Sequence, residues 1–308
     1  MPLPDNENVV ETSGDIVKTL HTIFGPHPGY RPAHAKGILL QGTFTPSNTA
    51  GTLSTAPHFN NPSTEVIARF SSSTGLPDLP DTDPGGNPRG LAIRFMLAET
   101  PRRVHTDIIA HSVDGFPGSN AEEALGFFAA IKDGVLDEYL ATHPKALAFV
   151  HMPKRTPAHF SREMYYGVNA FKFISPKGEE NYIRYRILPD AGVLGLKDEE
   201  LKEKGDNYLY DGVAEVLQAG PIEFRLLAQV AEEGDVTDDN TYKWPMGRRM
   251  VILGRIRLDS IASDQIEQQK RIIFDPIPRV EGIEPSRDPL LDVRAGVYLI
   301  SGRERRAA

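Results

Sequence analysis

The segment RIIFDPIPRVEGIEPSRDPLLDVRAGVYLISGRERR, residues 271–306, decides how the rest of this chain is interpreted. Asp288 followed by Pro289 is typical of the N-cap and first residue of a helix. The positions that follow leave little polar surface until the basic end; they include Leu290, Leu291, Val293, Val297, Leu299 and Ile300. The pattern predicts a buried helix from Asp288 to Arg305.

Two residues of this helix do not suit an apolar environment. Arg294 is a residue type that is almost never fully buried without a partner, and the hydroxyl of Tyr298 also needs one. They lie four positions apart, hence on one helical face, where the guanidinium favours the charged form of the phenol oxygen. The pair could present a phenolate to ferric iron, and Arg305, two turns further on, could meet an anionic group of the same ligand. The alternative is an ordinary contact between neighbouring side chains.

Composition excludes several classes of protein. The chain has 308 residues, of which 40% are hydrophobic and 25% charged, as in ordinary globular proteins. A net charge of −8 argues against nucleic acid or an anionic membrane surface as the main partner. The absence of cysteine excludes disulfides and thiolate chemistry. Neither a secretory signal nor an apolar run long enough to span a membrane is evident, so we expect a cytoplasmic location.

Hydrophobic periodicity indicates an α+β protein. Residues Val9 to Phe24 have helical spacing, whereas Gly37 to Thr45 and Leu91 to Leu97 are typical of strands. Further strands are predicted from Glu65, at 105–112, 223–232 and 249–258, with a hairpin over 168–188, and further helices at 120–131, 136–147 and 198–219. Because most strands are sequence neighbours with short connections, an antiparallel sheet or barrel is favoured.

Common catalytic and nucleotide-binding motifs are missing. No GxGxxG follows a strand, and there is no Walker A sequence. No HExxH or GxSxG occurs, so a zinc peptidase or a serine hydrolase has no support.

Five separated motifs, taken in order, resemble the haem-dependent catalase superfamily and in particular its small members, the catalase-related peroxidases. They are RPAHAKG at 31–37, IARFSSSTG at 67–75, NPRGLAIRF at 87–95, the FDP and GIE sequences near 274–284, and DPLLDVRAGVY at 288–298. In the third motif Asn87 stands where the family has aspartate.

The resemblance implies a role for each matching residue. His34 would be the distal histidine, and Ser71 would hydrogen-bond it. Tyr298 would be the axial iron ligand, as tyrosine is in catalases, with Arg294 as its partner. The haem propionates would be held by three arginines, Arg31, Arg69 and Arg305.

The same resemblance implies a single domain over residues 1–308, an eight-stranded antiparallel β-barrel with surrounding helices. Residues 1–28 would form an N-terminal helical arm and residues 287–305 the proximal haem helix. The wrapping segment and C-terminal helical domain of large catalases have no room here, so we expect wide access to the haem and a preference for organic peroxides.

The distal side departs from the family pattern. Where large catalases have DLVGNN, this chain has DIIAHS at 107–112, which places His111 at the position of the distal asparagine. Imidazole can hydrogen-bond peroxide but is bulkier, so efficient dismutation of hydrogen peroxide is not expected. A shifted alignment or an outward side chain is the alternative for His111. Phe116, and Phe127 or Phe128, could pack on the porphyrin or simply belong to the core.

These observations predict a peroxidase with weak catalase activity that uses haem, most simply of the b type. Its partners would be hydrogen peroxide or an organic hydroperoxide and a small organic reductant, and we expect a homodimer or another homo-oligomer. His34, His111 and Ser71 would be catalytic, and Phe116 would join the arginines in binding the cofactor. The alternatives are a hydroperoxide lyase or isomerase on the same scaffold and a non-catalytic haem-binding protein.

Overall fold

The computed structural model describes residues 2–308. This part of the chain contains ten α-helices: α1 (Glu7–Phe24), α2 (Ala50–Leu53), α3 (Pro57–Asn60), α4 (Ala121–Asp133), α5 (Leu136–Thr142), α6 (Pro144–Val150), α7 (Asp198–Lys202), α8 (Tyr208–Ala219), α9 (Gln265–Arg271) and α10 (Leu290–Ala307). The strands are β1 (Gly37–Pro46), β2 (Thr64–Ser71), β3 (Gly90–Ala98), β4 (Val104–His111), β5 (Tyr165–Tyr166), β6 (Phe171–Ile174), β7 (Glu180–Pro189), β8 (Ile222–Val230), β9 (Met250–Ile261) and β10 (Ile283–Pro285).

Eight of the strands close into an antiparallel barrel. The order around the ring is β1, β2, β3, β4, β5, β7, β8 and β9, and β9 pairs back onto β1. Strands β6 and β10 extend the sheet from β7. Closure leaves no unpaired edge in the ring. The prediction of an eight-stranded antiparallel barrel with surrounding helices is confirmed.

Side chains that alternate along the strands fill the barrel. Phe44, Phe70, Phe95 and Phe224 are fully buried in its core, together with Leu91. Phe70 stacks on Phe160 with ring centroids 4.9 Å apart, and Phe44 meets Phe95 edge to face at 5.2 Å. With the interior filled, a ligand must bind outside the barrel, between the sheet and the helices.

Helix α10 is held against the barrel by α1. The two helices approach so closely at Gly296 that a Cβ there would lie 2.4 Å from the Ser13 hydroxyl oxygen. Ser13 donates a hydrogen bond to the Val293 carbonyl oxygen at 3.1 Å. Helix α1 also packs on α4, and Ile16 and Leu20 join Leu290 in a small apolar cluster. This packing fixes which face of α10 turns towards the strands.

Two predicted helices are interrupted. The segment 136–147 breaks at Pro144, where the chain leaves α5 and starts α6, because proline has no N–H and disfavours helical geometry in the preceding residue. The segment 198–219 breaks between α7 and α8 around Gly205. Helix α10 begins at Leu290, with the Asp288 carboxylate accepting from the Leu290 N–H at 3.0 Å. No helix within residues 2–308 has both the length and the apolar character needed to cross a membrane.

Candidate active site

A cavity of about 430 Å³ lies between the outer face of strands β2 to β4 and helices α1, α4 and α10. Its walls are mainly apolar, and its few polar groups come from distant parts of the chain. All nine residues predicted for the site line it: Arg31, His34, Arg69, Ser71, His111, Phe116, Arg294, Tyr298 and Arg305. The volume falls in the range of small-molecule and cofactor sites.

The wall formed by α10 presents Tyr298 and Arg294. Arg294 Nη2 donates a hydrogen bond to the Tyr298 hydroxyl oxygen at 3.0 Å, and the guanidinium carbon lies 5.6 Å from the ring centre. The four-residue spacing on the helix brings the two groups together. The hydrogen bond fixes the position of the phenol oxygen on this wall, where it can serve as a ligand to ferric iron, as the tyrosine of catalases does.

Arg294 is itself held by residues that the sequence did not single out. Its Nη1 donates to the side-chain oxygen of Asn169, and the Asn169 amide nitrogen donates to Asp288 Oδ2 at 2.7 Å. Asn240 donates to the same carboxylate at 3.2 Å. Asp288 is buried, which raises the pKa of its carboxyl, while the Leu290 N–H and the two amides act in the opposite direction. The chain of contacts fixes the direction in which Arg294 points.

On the opposite wall, three neighbouring strands place small and polar residues in one row. Gly90 pairs with Ser71 on one side and with His111 on the other. Cross-strand partners point to the same face of a sheet, and this row faces the cavity. His34 precedes β1 and hydrogen-bonds the Ser71 hydroxyl through Nδ1 at 3.0 Å. A Cβ on Gly90 would lie 2.6 Å from Ser71 Oγ and 2.9 Å from His34 Nδ1, so only glycine fits between the two.

His34 has a backbone conformation in the left-handed region. Its φ of +56° is uncommon for a residue with a side chain, and its N–H donates to the Ser73 carbonyl oxygen at 3.1 Å. The pKa of His34 is lowered to about 3, mainly by burial, and the positive charge of Arg69 contributes in the same direction. The imidazole is therefore neutral at physiological pH.

His111 lies at the end of β4 and lines the cavity. Its Nε2 is buried and has no hydrogen-bond partner among residues 2–308. Burial lowers the pKa of His111 to about 3, with Arg294 and Lys154 acting in the same direction. An unpaired buried nitrogen costs free energy, so a polar ligand in the cavity would find it available.

Three guanidinium groups meet at the end of the cavity near α9. Arg31 and Arg305 both donate to the Ile272 carbonyl oxygen, at 3.1 and 3.0 Å, and Arg69 donates to the Gln269 side-chain oxygen at 2.9 Å. Within the described chain, none of the three arginines has a carboxylate within 4.0 Å. Burial lowers the pKa of Arg69 and of Arg305 to about 10, and for Arg305 the charge of Arg69 acts in the same direction.

These residues fit haem. Arg31, Arg69 and Arg305 would supply positive charge for two propionates, which could not be buried without it. Arg305 Nε is buried without a hydrogen-bond partner in the described chain, so it is free to donate to a bound anion. Tyr298 would offer an oxygen to the iron from one wall, and His34 stands on the other.

Sequence reasoning missed Asn169, Lys154 and Gln269. Lys154 lines the cavity and donates to the Phe149 and Val150 carbonyl oxygens at 2.8 and 2.9 Å, closing the end of α6. Gln269 holds Arg69 through its side chain, and its own backbone carbonyl oxygen accepts from Arg31 at 3.4 Å. None of the three lies in a recognised motif, so only their contacts across the fold reveal them.

Comparison with known proteins identifies the family. The catalase family model matches residues 127–308. A catalase-related peroxidase of Mycolicibacterium paratuberculosis is 32% identical over 302 residues, which cover 96% of this chain and 95% of the relative. A catalase-related peroxidase of Synechococcus elongatus is 29% identical, covering 96% of this chain and 88% of the relative.

Solved structures agree with the fold. Catalase A of Saccharomyces cerevisiae superimposes with a TM-score of 0.80 at 22% identity, covering 90% of this chain and 61% of the yeast chain. A fungal catalase gives a TM-score of 0.81 at 22% identity, with coverage of 91% and 60%. The family match and the similarity to small relatives along nearly their whole length lead to one conclusion: the chain belongs to the catalase family, whose members are oxidoreductases that act on peroxide.

Proposed function

We propose that this protein is a haem-dependent peroxidase that reduces hydrogen peroxide or organic hydroperoxides with an organic electron donor and has only weak catalase activity. The observation that carries the proposal is the single cavity in which Tyr298 and Arg294 face His34 and His111, with three unpaired arginines at one end. Both small relatives are named catalase-related peroxidase. Residues 1–308 act together in this proposal, since the lining runs from Ile16 to Arg305.

Tyr298 would hold the iron, with Arg294 stabilising its charge, and Arg31, Arg69 and Arg305 would bind the propionates of haem b. Phe116 would pack on the porphyrin. The chemistry supplied by haem, when bound, is redox chemistry at iron. The remaining work falls to the side chains, which must orient the peroxide and move its proton.

His34 would move that proton. If Nδ1–H donates to Ser71 Oγ, Nε2 keeps its lone pair and faces the cavity as a general base. The base takes the proton from the near oxygen of the peroxide and returns it to the departing oxygen. In the overall reaction one hydroperoxide, two electrons and two protons give one alcohol and one water. Two one-electron donors supply the electrons.

His111 would limit the catalase reaction. Its unpaired Nε2 can hold a peroxide oxygen, but the ring takes more room than the asparagine that the family resemblance leads us to expect there. We expect donor oxidation to exceed oxygen release from hydrogen peroxide. His111→Asn should shift this ratio towards oxygen release, as measured with an oxygen electrode. An unchanged or smaller ratio of oxygen release to donor oxidation in the variant would contradict this role.

Removal of His34 tests the proposal directly. We expect His34→Gln to lower kcat/KM for tert-butyl hydroperoxide by about 10²- to 10⁴-fold, the usual contribution of a positioned acid–base group. His151→Gln is the matched control, because His151 is exposed and lies outside the cavity. Unchanged turnover in His34→Gln would refute the assignment.

Product analysis separates the alternatives. With a fatty acid hydroperoxide, a peroxidase yields the alcohol together with oxidised donor, whereas an isomerase yields a dehydrated epoxide without consuming donor. A protein that binds haem and converts neither substrate would be a carrier or sensor. In Tyr298→Phe the visible spectrum of the haem-loaded protein should change from that of a tyrosinate-bound iron. The same spectrum in both proteins would rule out Tyr298 as the ligand.

A further inference from the structure

A second depression, here called the basic cleft, lies outside β3 and β4 and is bounded by α9 and the end of α10. Its volume is about 1020 Å³. The cleft combines an apolar surface with a charged one. The apolar residues are Ile67, Met96, Ile272, Ile273 and Leu299. A surface of this kind suits a ligand with a flat apolar body and an ionised group.

Positive charge predominates in the basic cleft, although the whole chain carries −8. Its carboxylates are Asp264 and Glu267, against the cations Arg94, Arg103, Lys270, Arg271 and Arg306. Three of these cations are paired: Arg94 with Asp107, Arg103 with Glu99, and Arg271 with Glu267.

The other two cations are available for a ligand. Neither Lys270 nor Arg306 has a carboxylate within 4.0 Å anywhere in residues 2–308, and Arg306 donates only to the Arg271 carbonyl oxygen. Beside them, the Nδ1 atom of His105 is buried without a hydrogen-bond partner in the same part of the chain. An anion would satisfy the two cations, and it would also accept from His105 in the tautomer that carries its proton on Nδ1.

The basic cleft and the cavity share a wall. Ile273 lines both spaces and is therefore part of the wall between them. Arg94, on the cleft side, lies 5.3 Å from the ring centre of Phe274, which lines the cavity. The Ile272 carbonyl oxygen, in the same segment, accepts from Arg31 and Arg305. A molecule in the cleft would therefore lie beside the end of the cavity where the arginines meet.

We propose that the basic cleft is the binding site for the electron donor and that this donor is an aromatic anion carrying a sulfonate or carboxylate. This inference rests on the proposed peroxidase function. The apolar floor takes the ring, and Lys270 and Arg306 bind the anionic group. Each donor molecule gives one electron, and with two protons from solvent two donors reduce one hydroperoxide to alcohol and water. The donor never has to reach the peroxide itself.

The test compares two donors. One is the dianion azino-bis(ethylbenzothiazoline sulfonate), ABTS, and the other is the neutral phenol guaiacol. We expect Lys270→Gln/Arg306→Gln to raise the KM for ABTS by about fivefold to thirtyfold, the size expected of two exposed ion contacts. The KM values for guaiacol and for the hydroperoxide should not change.

Equilibrium dialysis of ABTS against the haem-loaded protein without peroxide gives a readout that does not depend on turnover. Its Kd should rise by the same factor in the double variant. The matched control is Lys177→Gln/Arg303→Gln, which removes the same charge from exposed residues outside the basic cleft. Equal Kd values in all three proteins, or an equal loss in the control, would overturn the inference. If the parent enzyme oxidises neither donor, the peroxidase proposal fails, and the dialysis still decides whether the cleft binds the anion.

Discussion

The pH dependence of the reaction should report the environment of His34. Burial and the charge of Arg69 lower the pKa of this imidazole to about 3 from 6.5. Because the neutral form is the base, activity should persist as pH falls and be lost only as pH approaches 3. Propionates at Arg69 and Arg31 would weaken the repulsion, but burial is the largest cause and would remain.

The expected difference is large. With a pKa of about 3, about 99% of His34 is neutral at pH 5, whereas the ordinary value would leave about 3%. The ratio of kcat/KM at pH 5 to that at pH 7 should then be about 1, instead of about 0.04 for an ordinary histidine.

Activity must be measured before the protein unfolds in acid. His34, His58 and His111 all have a pKa lowered to about 3, so between pH 6.5 and 3 the unfolded chain binds more protons than the folded one. The free energy of unfolding therefore decreases as the pH is lowered through this range, by about 1.4 kcal/mol per pH unit for each such group. Stopped-flow mixing from pH 7 into acid limits exposure. An acid limb near pH 6.5 that also persists in His111→Asn would refute this account of His34.

Three further changes test other parts of the structure. His58 is 1% exposed in the barrel core, and neither ring nitrogen has a partner among residues 2–308. His58→Phe should raise the free energy of unfolding in urea by about 1–3 kcal/mol at pH 7. The gain should be larger at pH 4.5, and a smaller gain there would contradict the lowered pKa of His58. Gly90→Ala should lower kcat/KM by about tenfold or more, since the new Cβ would displace Ser71 or His34; Gly14→Ala in α1, where a Cβ meets nothing within 4 Å, is the control and should preserve the rate. Arg305→Gln should weaken haem retention, so that the rate of haem transfer to apomyoglobin rises by about tenfold to a hundredfold. A rate equal to that of the parent would show that Arg305 does not bind a propionate.

The sequence predicted the elements whose signals are local. The helix containing Arg294 and Tyr298 was predicted within two residues at either end, because an N-terminal Asp–Pro and an apolar run are visible in the chain. The eight-stranded barrel followed from the family resemblance, although its closure depends on pairing between β7 and β8 and between β9 and β1. No local pattern determines pairings between strands so far apart in sequence.

The parts that were not predicted depend on contacts between distant residues. Asn169 reaches Arg294 and Asp288 across more than a hundred residues, and an asparagine in a loop carries no periodic signal. Gln269 belongs to the short helix α9, which holds Arg69 from the far end of the chain. The helix break at Pro144 is not visible in the hydrophobic periodicity, because the apolar spacing continues on both sides of it.

The three arginines favour an anionic ligand in the cavity, but their mutual repulsion lowers the stability of the haem-free protein. Mutual repulsion contributes to the lowered pKa values of Arg31 and Arg305, and Glu304 opposes it only at Arg305. None of the three arginines has a carboxylate within 4.0 Å in the described chain. Removing one guanidinium should therefore leave the haem-free protein as stable as the parent or more stable, while weakening its hold on an anionic ligand. These opposite effects distinguish a ligand-binding arginine from a structural one, whose loss would destabilise the haem-free protein as well. For Arg305→Gln, unfolding of the haem-free protein at lower urea than the parent would assign the residue to the fold instead of the cofactor.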